Sequence, residues 1–506
     1  MMMTEIHWTA QSTYPILTTL QLLPLVVMMA ILTMRENRLV PLIGIAGAVT
    51  ELLLAINLWL NYDTHQGAMQ FAERAELFGP LAYHATVDGV SVLFVLLTAL
   101  ITLLMVIYGQ VRQLLPHAWF LSLVFAVEAA LMSMFVTVDL LWFVLISVVE
   151  LGLVGILLAR WSTSPESELA QTRYYQFMST GILLLLVGIV ILGWNHADAT
   201  GGRWTFDLFE LAQAPVSAGF QSVVFFLFFY GLAVRVPIFP LHGWLPLVAE
   251  HGTVAAAPVF LIGLKIGIYG MLRFILPLMP EAVMQWHEFI VTVAVVGIFY
   301  AALLAMLQVN LRRLLAFAVV SHTSVLVIGL FSLNQMAFEG AVMLSINFGL
   351  AITALLFMQG FVYRRTRTLL MARLGGLFDS IPIIGITFLI AGLSIVGMPG
   401  TPGFDAAHLM LEGAIHRYGA LITIAAALGN VVAAGFLLWA FQRAFLAPQD
   451  ESQPVRKVDP TTSTELLISG VMILVLLGAG FYSEPWLDLI EKSLEGLSAL
   501  YATPHV

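Results

Sequence analysis

Apolar runs of about twenty residues recur from one end of this chain to the other, separated by short polar connections. A run of that length crosses the ~30 Å hydrocarbon core of a bilayer as a helix. Lipid offers no water to backbone N–H and C=O groups, so helices satisfy them internally. The hydropathy pattern gives about fourteen spans, with centres running from Leu23 to Leu474. The fold class expected is an all-α polytopic membrane protein. Only 10% of the residues are charged and the mean hydropathy is +0.96. A soluble domain carries about 25% charged residues. No basic stretch precedes the first apolar run, Pro15 to Met34, which reads as a retained first span. Trp486 to Tyr501 is amphipathic and reads as a helix lying along a surface. Tyr62 to Asp88 is the largest polar insert, and His196 to Ser217 reads as an exposed loop.

With no cysteine, disulfides and thiolate metal sites are excluded. No HExxH or HxxxH spacing offers histidines to a metal, and no Gly-rich phosphate-binding motif is present. The chain therefore reads as having no catalytic centre, no cofactor, no metal and no nucleic-acid partner. The basic residues are distributed unevenly. Loops after odd-numbered spans hold fourteen of them, including Arg35, Arg112, Arg160, Arg312, Arg313, Arg364, Arg365, Arg443, Arg456 and Lys457. The opposite loops hold five, Arg74, Arg203, Arg273, Arg417 and Lys492. By the positive-inside rule both termini lie outside, on the periplasmic side if the membrane is a bacterial inner membrane.

Two basic residues, Arg235 and Lys265, fall inside apolar spans, and so do Glu128, Glu150 and His322. Charge at bilayer depth costs several kcal/mol unless paired or hydrated, so it marks a pathway by default. At ~1.5 Å per residue, these side chains fall near the same mid-membrane level. Glu128 and Glu150, on adjacent spans, would share a proton if their faces meet. Arg235 cannot release a proton and reads as a fixed charge beside Glu150, whereas Lys265 can load and unload. Each residue alone is equally well read as a static ion pair or a snorkelling end. Five at one depth on different spans favour a row of proton stations bridged by water.

Prolines interrupt two spans. Pro237 and Pro240 break the seventh, and Pro399 and Pro402 break the twelfth. Breaks five spans apart point to two inverted five-helix repeats. The division expected is residues 1–110 for the first three spans, 111–280 and 281–448 for the two repeats, and 449–506 for the last span and tail.

The segment Ala233-Val-Arg-Val-Pro-Ile-Phe-Pro-Leu-His-Gly-Trp-Leu-Pro246 resembles a signature of the antiporter-like subunits of respiratory complex I. Gly263 to Phe274, Asn310 to His322, Thr86-Val-Asp-Gly89 and the Asp139 to Glu150 spacing resemble further stretches of the same family, nearest its M-type, subunit 4-like member. The resemblance implies a fourteen-helix fold and a proton path along a central polar axis, with Glu150, Lys265 and His322 at its stations. The chain departs from the pattern where Arg235 replaces a lysine, Phe348 a histidine, Ala407 a glutamate and Asn310 an aspartate. Asp405, His408 and Glu412, just past the second break, are candidates for an exit. The function implied is proton translocation within an NADH-dehydrogenase-type complex, with other membrane subunits, protons or small cations, and lipid as partners. A related ion-coupled assembly, either an inorganic-carbon uptake complex or a multi-subunit cation/proton antiporter, stays open beside it. So does a static membrane spacer.

Overall fold

The computed structural model describes residues 4–112, 114–214, 216–254, 257–448 and 458–502, apart from the side chains of 218 and 258–262. Arg456 and Lys457 lie outside the described residues. The chain is almost entirely helical, as its apolar runs require. It opens with α1 (Ile16–Thr33), α2 (Val40–Asn61), α3 (Gly89–Arg112), α4 (His117–Val136), α5 (Leu140–Arg160) and α6 (Ser167–Ala199). A single turn, α7 (Leu208–Leu211), leads to α8 (Ala218–Arg235), α9 (Trp244–His251) and α10 (Ala257–Gly270). The turn α11 (Leu276–Leu278) precedes α12 (Pro280–Met306), α13 (Leu311–Phe331) and α14 (Gln335–Thr366). After the turn α15 (Leu377–Ser380) come α16 (Pro382–Val396), α17 (Pro402–Tyr418), α18 (Ala420–Phe441), α19 (Ser463–Phe481) and α20 (Glu484–Ala499).

Among the described residues, eleven helices are long and apolar enough to cross a membrane. Helices α8 and α16 are apolar but shorter. Both end where the sequence places a break: α8 stops at Arg235 and α16 at Val396. Proline lacks the N–H that a helix interior needs and its ring meets the carbonyl four residues back. At the second break Gly397 and Gly400 both take φ of +85°, a turn that L side chains resist, and Pro402 then opens α17 at a position where its missing N–H is harmless.

The two halves share small features that helix counting alone does not reveal. Val138 and Leu140 exchange backbone hydrogen bonds with Phe206 and Leu208, closing a bridge between Asp139 and Asp207. Val309 and Leu311 do the same with Leu369 and Met371, around Asn310 and Leu370. Asp139 and Asn310 each cap the helix that follows, α5 and α13, and a four-residue turn (α7, α15) follows each bridge. Helices α10 and α18 each run into a π-helical turn, Met271–Ile275 and Gln442–Leu446.

The insert between α2 and α3 is not a loop but the hairpin β2 (Met69–Phe78) and β3 (Leu81–Val87), with β1 (Glu5–His7) added in parallel to β2. Gly79, at φ +56°, turns the hairpin. Glu73 on β2 accepts from the Leu17 and Thr18 amides at 2.8 Å, filling the open N-terminal donors of α1. The expected exposed loop at 196–217 is corrected as well. Helix α6 continues to Ala199, and Thr205 to Leu208 are buried because the bridge to Val138 pulls them inward. The C-terminal amphipathic helix lies as expected. It buries Leu489, Ile490, Leu494 and Leu497, and crosses Gly89 so closely that a Cβ there would sit 1.7 Å from the Leu489 carbonyl oxygen.

His84 on β3 ties this face together. Its Nδ1 meets Asp207 and its Nε2 lies 2.8 Å from Glu5. Burial alone would push the His84 pKa down, but the hydrogen bonds and charges of Asp207 and Glu5 outweigh it and raise it to about 9 from 6.5. A group with a raised folded-state pKa stabilises fully below its unfolded value and loses that contribution as pH rises through the folded one. The thermal midpoint of the native protein should therefore exceed that of His84→Phe at about pH 6.5, with the gap closing above about pH 9. Parallel melting curves of the two proteins across that window would contradict the assignment.

Candidate functional site

Four of the five intramembrane charges found in the sequence gather between α5, α8, α10 and α13. Glu150 points from α5 to Arg235 at the last turn of α8, with Nη1 and Oε2 3.0 Å apart and both side chains about 5% exposed or less. Buried this way, the pair offsets the desolvation that either charge would suffer alone. The break after Arg235 places that pairing: α8 ends there, so the guanidinium leaves the helix terminus instead of a packed flank. The other terminal nitrogen of Arg235 has no protein partner among the described residues. Glu150 also presses on α10, where a Cβ at Gly263 would lie 2.9 Å from Oε1. Glycine at that position lets α10 approach the carboxylate two residues before Lys265.

Lys265 is 4% exposed, and its Nζ lies 5.7 Å from the centre of the Phe348 ring, within cation–π range. His322 packs against the same ring, its centroid 4.6 Å from that of Phe348. Neither ring nitrogen of His322 has a protein partner among the described residues, though the residue is 1% exposed. Lys265 and His322 thus share Phe348 as a neighbour, and Lys265 is near enough for its charge to act on His322 directly. Beyond Phe348, Asn347 donates to the Ser394 carbonyl at 3.0 Å and accepts from the Ser394 hydroxyl at 2.6 Å. That clamp ties α14 to the end of α16, next to the second break.

A cavity of about 60 Å³ lies between α5, α9, α13 and α14. Arg312 and Gln359 line one part of it and Leu264, the neighbour of Lys265, another. Apart from Thr253, Arg312 and Gln359 its lining is apolar, so water finds partners at the Arg312 and Gln359 end.

Two expectations about the site need correction or placing. Glu128 does not face Glu150. Its charged neighbour is Glu51 of α2, both residues being 1% exposed. Sequence spacing fixes depth but not the direction in which a helix points a side chain. Glu51 went unrecognised, although the signal was the same: a lone carboxylate midway along an apolar span. His408 and Glu412 stand 3.7 Å apart on the outer side of α17, 73% and 41% exposed, and half-buried Asp405 accepts from Ser483 at 2.6 Å.

Residues 131–433 match the model of the NADH:quinone oxidoreductase/Mrp antiporter transmembrane family. The chain belongs to this family. It is 30% identical over 459 residues to NADH-quinone oxidoreductase subunit M of Escherichia coli K12, covering 88% of this chain and 89% of that one. It is 29% identical over 490 residues to NADH-ubiquinone oxidoreductase chain 4 of Marchantia polymorpha, covering 96% and 97%. A chain of respiratory complex I from Thermus thermophilus superposes with a TM-score of 0.84 at 26% identity, covering 96% of this chain and all of that one. The chain is thus an antiporter-like integral membrane subunit, and the complex I resemblance read from its motifs holds along nearly its whole length.

Removing one partner of a buried ion pair strands the other and costs about 3–5 kcal/mol. Glu150→Leu alone should therefore lower the thermal midpoint of the solubilised protein strongly. Combining it with Arg235→Met should restore most of the loss. Additive losses in the double variant would show that the two side chains do not act as a pair.

Proposed function

We propose that this chain carries protons across the membrane as an antiporter-like subunit of an NADH-dehydrogenase-type complex. The observation that carries the reading is the row of buried polar groups. Glu150, Arg235, Lys265 and His322 are all buried inside the bundle, and an Arg235 nitrogen and both His322 nitrogens lack protein partners among the described residues. Unpartnered polar groups in an apolar interior are stable only with water. Arg235 serves as the fixed charge paired with Glu150, Lys265 takes up and releases the proton, and the cavity beside Leu264 supplies water from the Arg312 end. Phe348 touches both Lys265 and His322, and because an aromatic ring relays no proton, transfer between them runs through water beside it.

The matched bridges at Asp139 and Asn310, the two breaks and the two π-helical turns support a pair of five-helix repeats, residues 111–280 and 281–448. Five crossings separate corresponding points, which makes the repeats inverted. The uneven basic residues support a bacterial inner membrane with both termini periplasmic. An exit through Asp405, His408 and Glu412 needs a neighbouring subunit to cover that outer face, and other membrane subunits are the partners this reading calls for. The second reading, a cation/proton antiporter assembly, is favoured by Phe348 and Ala407, which take titratable groups away from the second half.

Proton uptake by the complex reconstituted in vesicles tests the proposal. Lys265→Ala should abolish transfer per assembled complex. Unchanged transfer would reduce the chain to a spacer. Phe348→His should raise transfer several-fold, because it places a relay where the ring now stands. Transfer that requires sodium and ignores the proton gradient would favour the second reading.

A further inference from the structure

Glu51 and Glu128 take no part in the central row, yet they are among the most deeply buried ionisable groups in the molecule. Glu51 is eleven residues from the start of α2 and ten from its end. Glu128 is eleven residues into α4. At ~1.5 Å per residue both sit about 16 Å from their helix starts, near the middle of the bilayer. Each residue is 1% exposed, and none of the four carboxyl oxygens has a protein partner among the described residues. The Thr102 hydroxyl of α3 lies beside Glu128 without closing a hydrogen bond to it.

The charged groups on the surrounding helices are occupied elsewhere. Arg112 of α3 binds the Gly360 carbonyl, Glu150 of α5 binds Arg235, and Lys265 of α10 faces Phe348. Helix α1 brings no ionisable group at all. Helices α2 and α4 touch where a Cβ at Gly44 would lie 3.1 Å from the Leu121 side chain, and Glu51 and Glu128 each stand about two turns further along; two carboxylates neighbouring there with no cation between them cannot both be ionised. The electrostatic requirement is met by a proton, which converts one carboxylate into a donor for the other. A metal cation fits poorly, because hard cations collect about six oxygen ligands or more, and among the described residues no group of three acidic or histidine side chains gathers here.

We propose that Glu51 and Glu128 form a second proton-binding site, off the transport axis, that holds a proton between the two carboxyl groups at neutral pH. The site fastens α2 to α4 by a hydrogen bond that exists only in the protonated state, so loss of the proton leaves two like charges pressing the helices apart.

Infrared difference spectra of the full chain in its native complex, taken in H₂O and D₂O, test this directly. A protonated carboxyl has a C=O stretch distinct from that of a carboxylate and shifts to lower frequency on deuteration. The native protein should show such a band, and the double variant Glu51→Gln/Glu128→Gln should lack it while assembling normally, since neutral amides replace a site that is already neutral. A band of equal size in the double variant would overturn the proposal. So would a native band that appears only when sodium is replaced by a large organic cation, since that marks a cation site. Should the double variant assemble poorly, Glu128→Gln alone decides: an unshifted, undiminished band sinks the idea.

Discussion

The Glu150–Arg235 pair is the interaction on which the site depends. Water would screen two charges 3.0 Å apart and leave them worth little. In the core of the bundle each would be intolerable without the other, so the pair fixes how α5 and α8 face each other. The break after Arg235 lets the guanidinium reach that position, and Gly263 lets α10 close over it. Those two permissions, one from proline and one from glycine, bring Lys265 into line with Glu150. A row of stations follows from a single pair once its helix contacts are set.

The same economy appears at the level of the whole chain. In each half the second helix is capped and bridged by backbone hydrogen bonds to the segment ahead of the broken span, at Asp139 with Asp207 and at Asn310 with Leu370. A bridge of this kind satisfies backbone groups at the membrane boundary and fixes the loop that leads to the break. The side chains placed on this common frame differ. The first half brings Glu150, Arg235 and Lys265 together; the second sets Phe348 against His322 and leaves His408 and Glu412 on an outer face. Backbone symmetry and chemical asymmetry thus coexist in one chain.

Much of this was legible in the sequence, because membrane crossing imposes a length and a price on charge. The helical class, both breaks, the amphipathic tail and the residues Glu150, Arg235, Lys265 and His322 follow from those two constraints. What they leave out is azimuth. Depth placed Glu128 level with Glu150, yet the helix turns it toward Glu51 instead. The hairpin at 69–87 was hidden because its strands alternate weakly and Gly79 and Pro80 read as ordinary loop residues. The bridges at Asp139 and Asn310 have no sequence signature beyond a capping side chain, since their bonds come from backbone groups that every residue carries.

The π-helical turn at Met271–Ile275 carries one residue more than α-helical geometry accommodates. Such a surplus is a register defect, and a defect can travel. Passed backward along α10 beyond Lys265, it would swing that side chain by about 100° around the helix axis, the angular share of one residue in a 3.6-residue turn. The ammonium group would then leave the ring of Phe348 without any tilt or slide of the helix. A rigid bundle can in this way hold a rotary contact inside it, with the surplus residue stored nearly two turns away from the residue that it redirects.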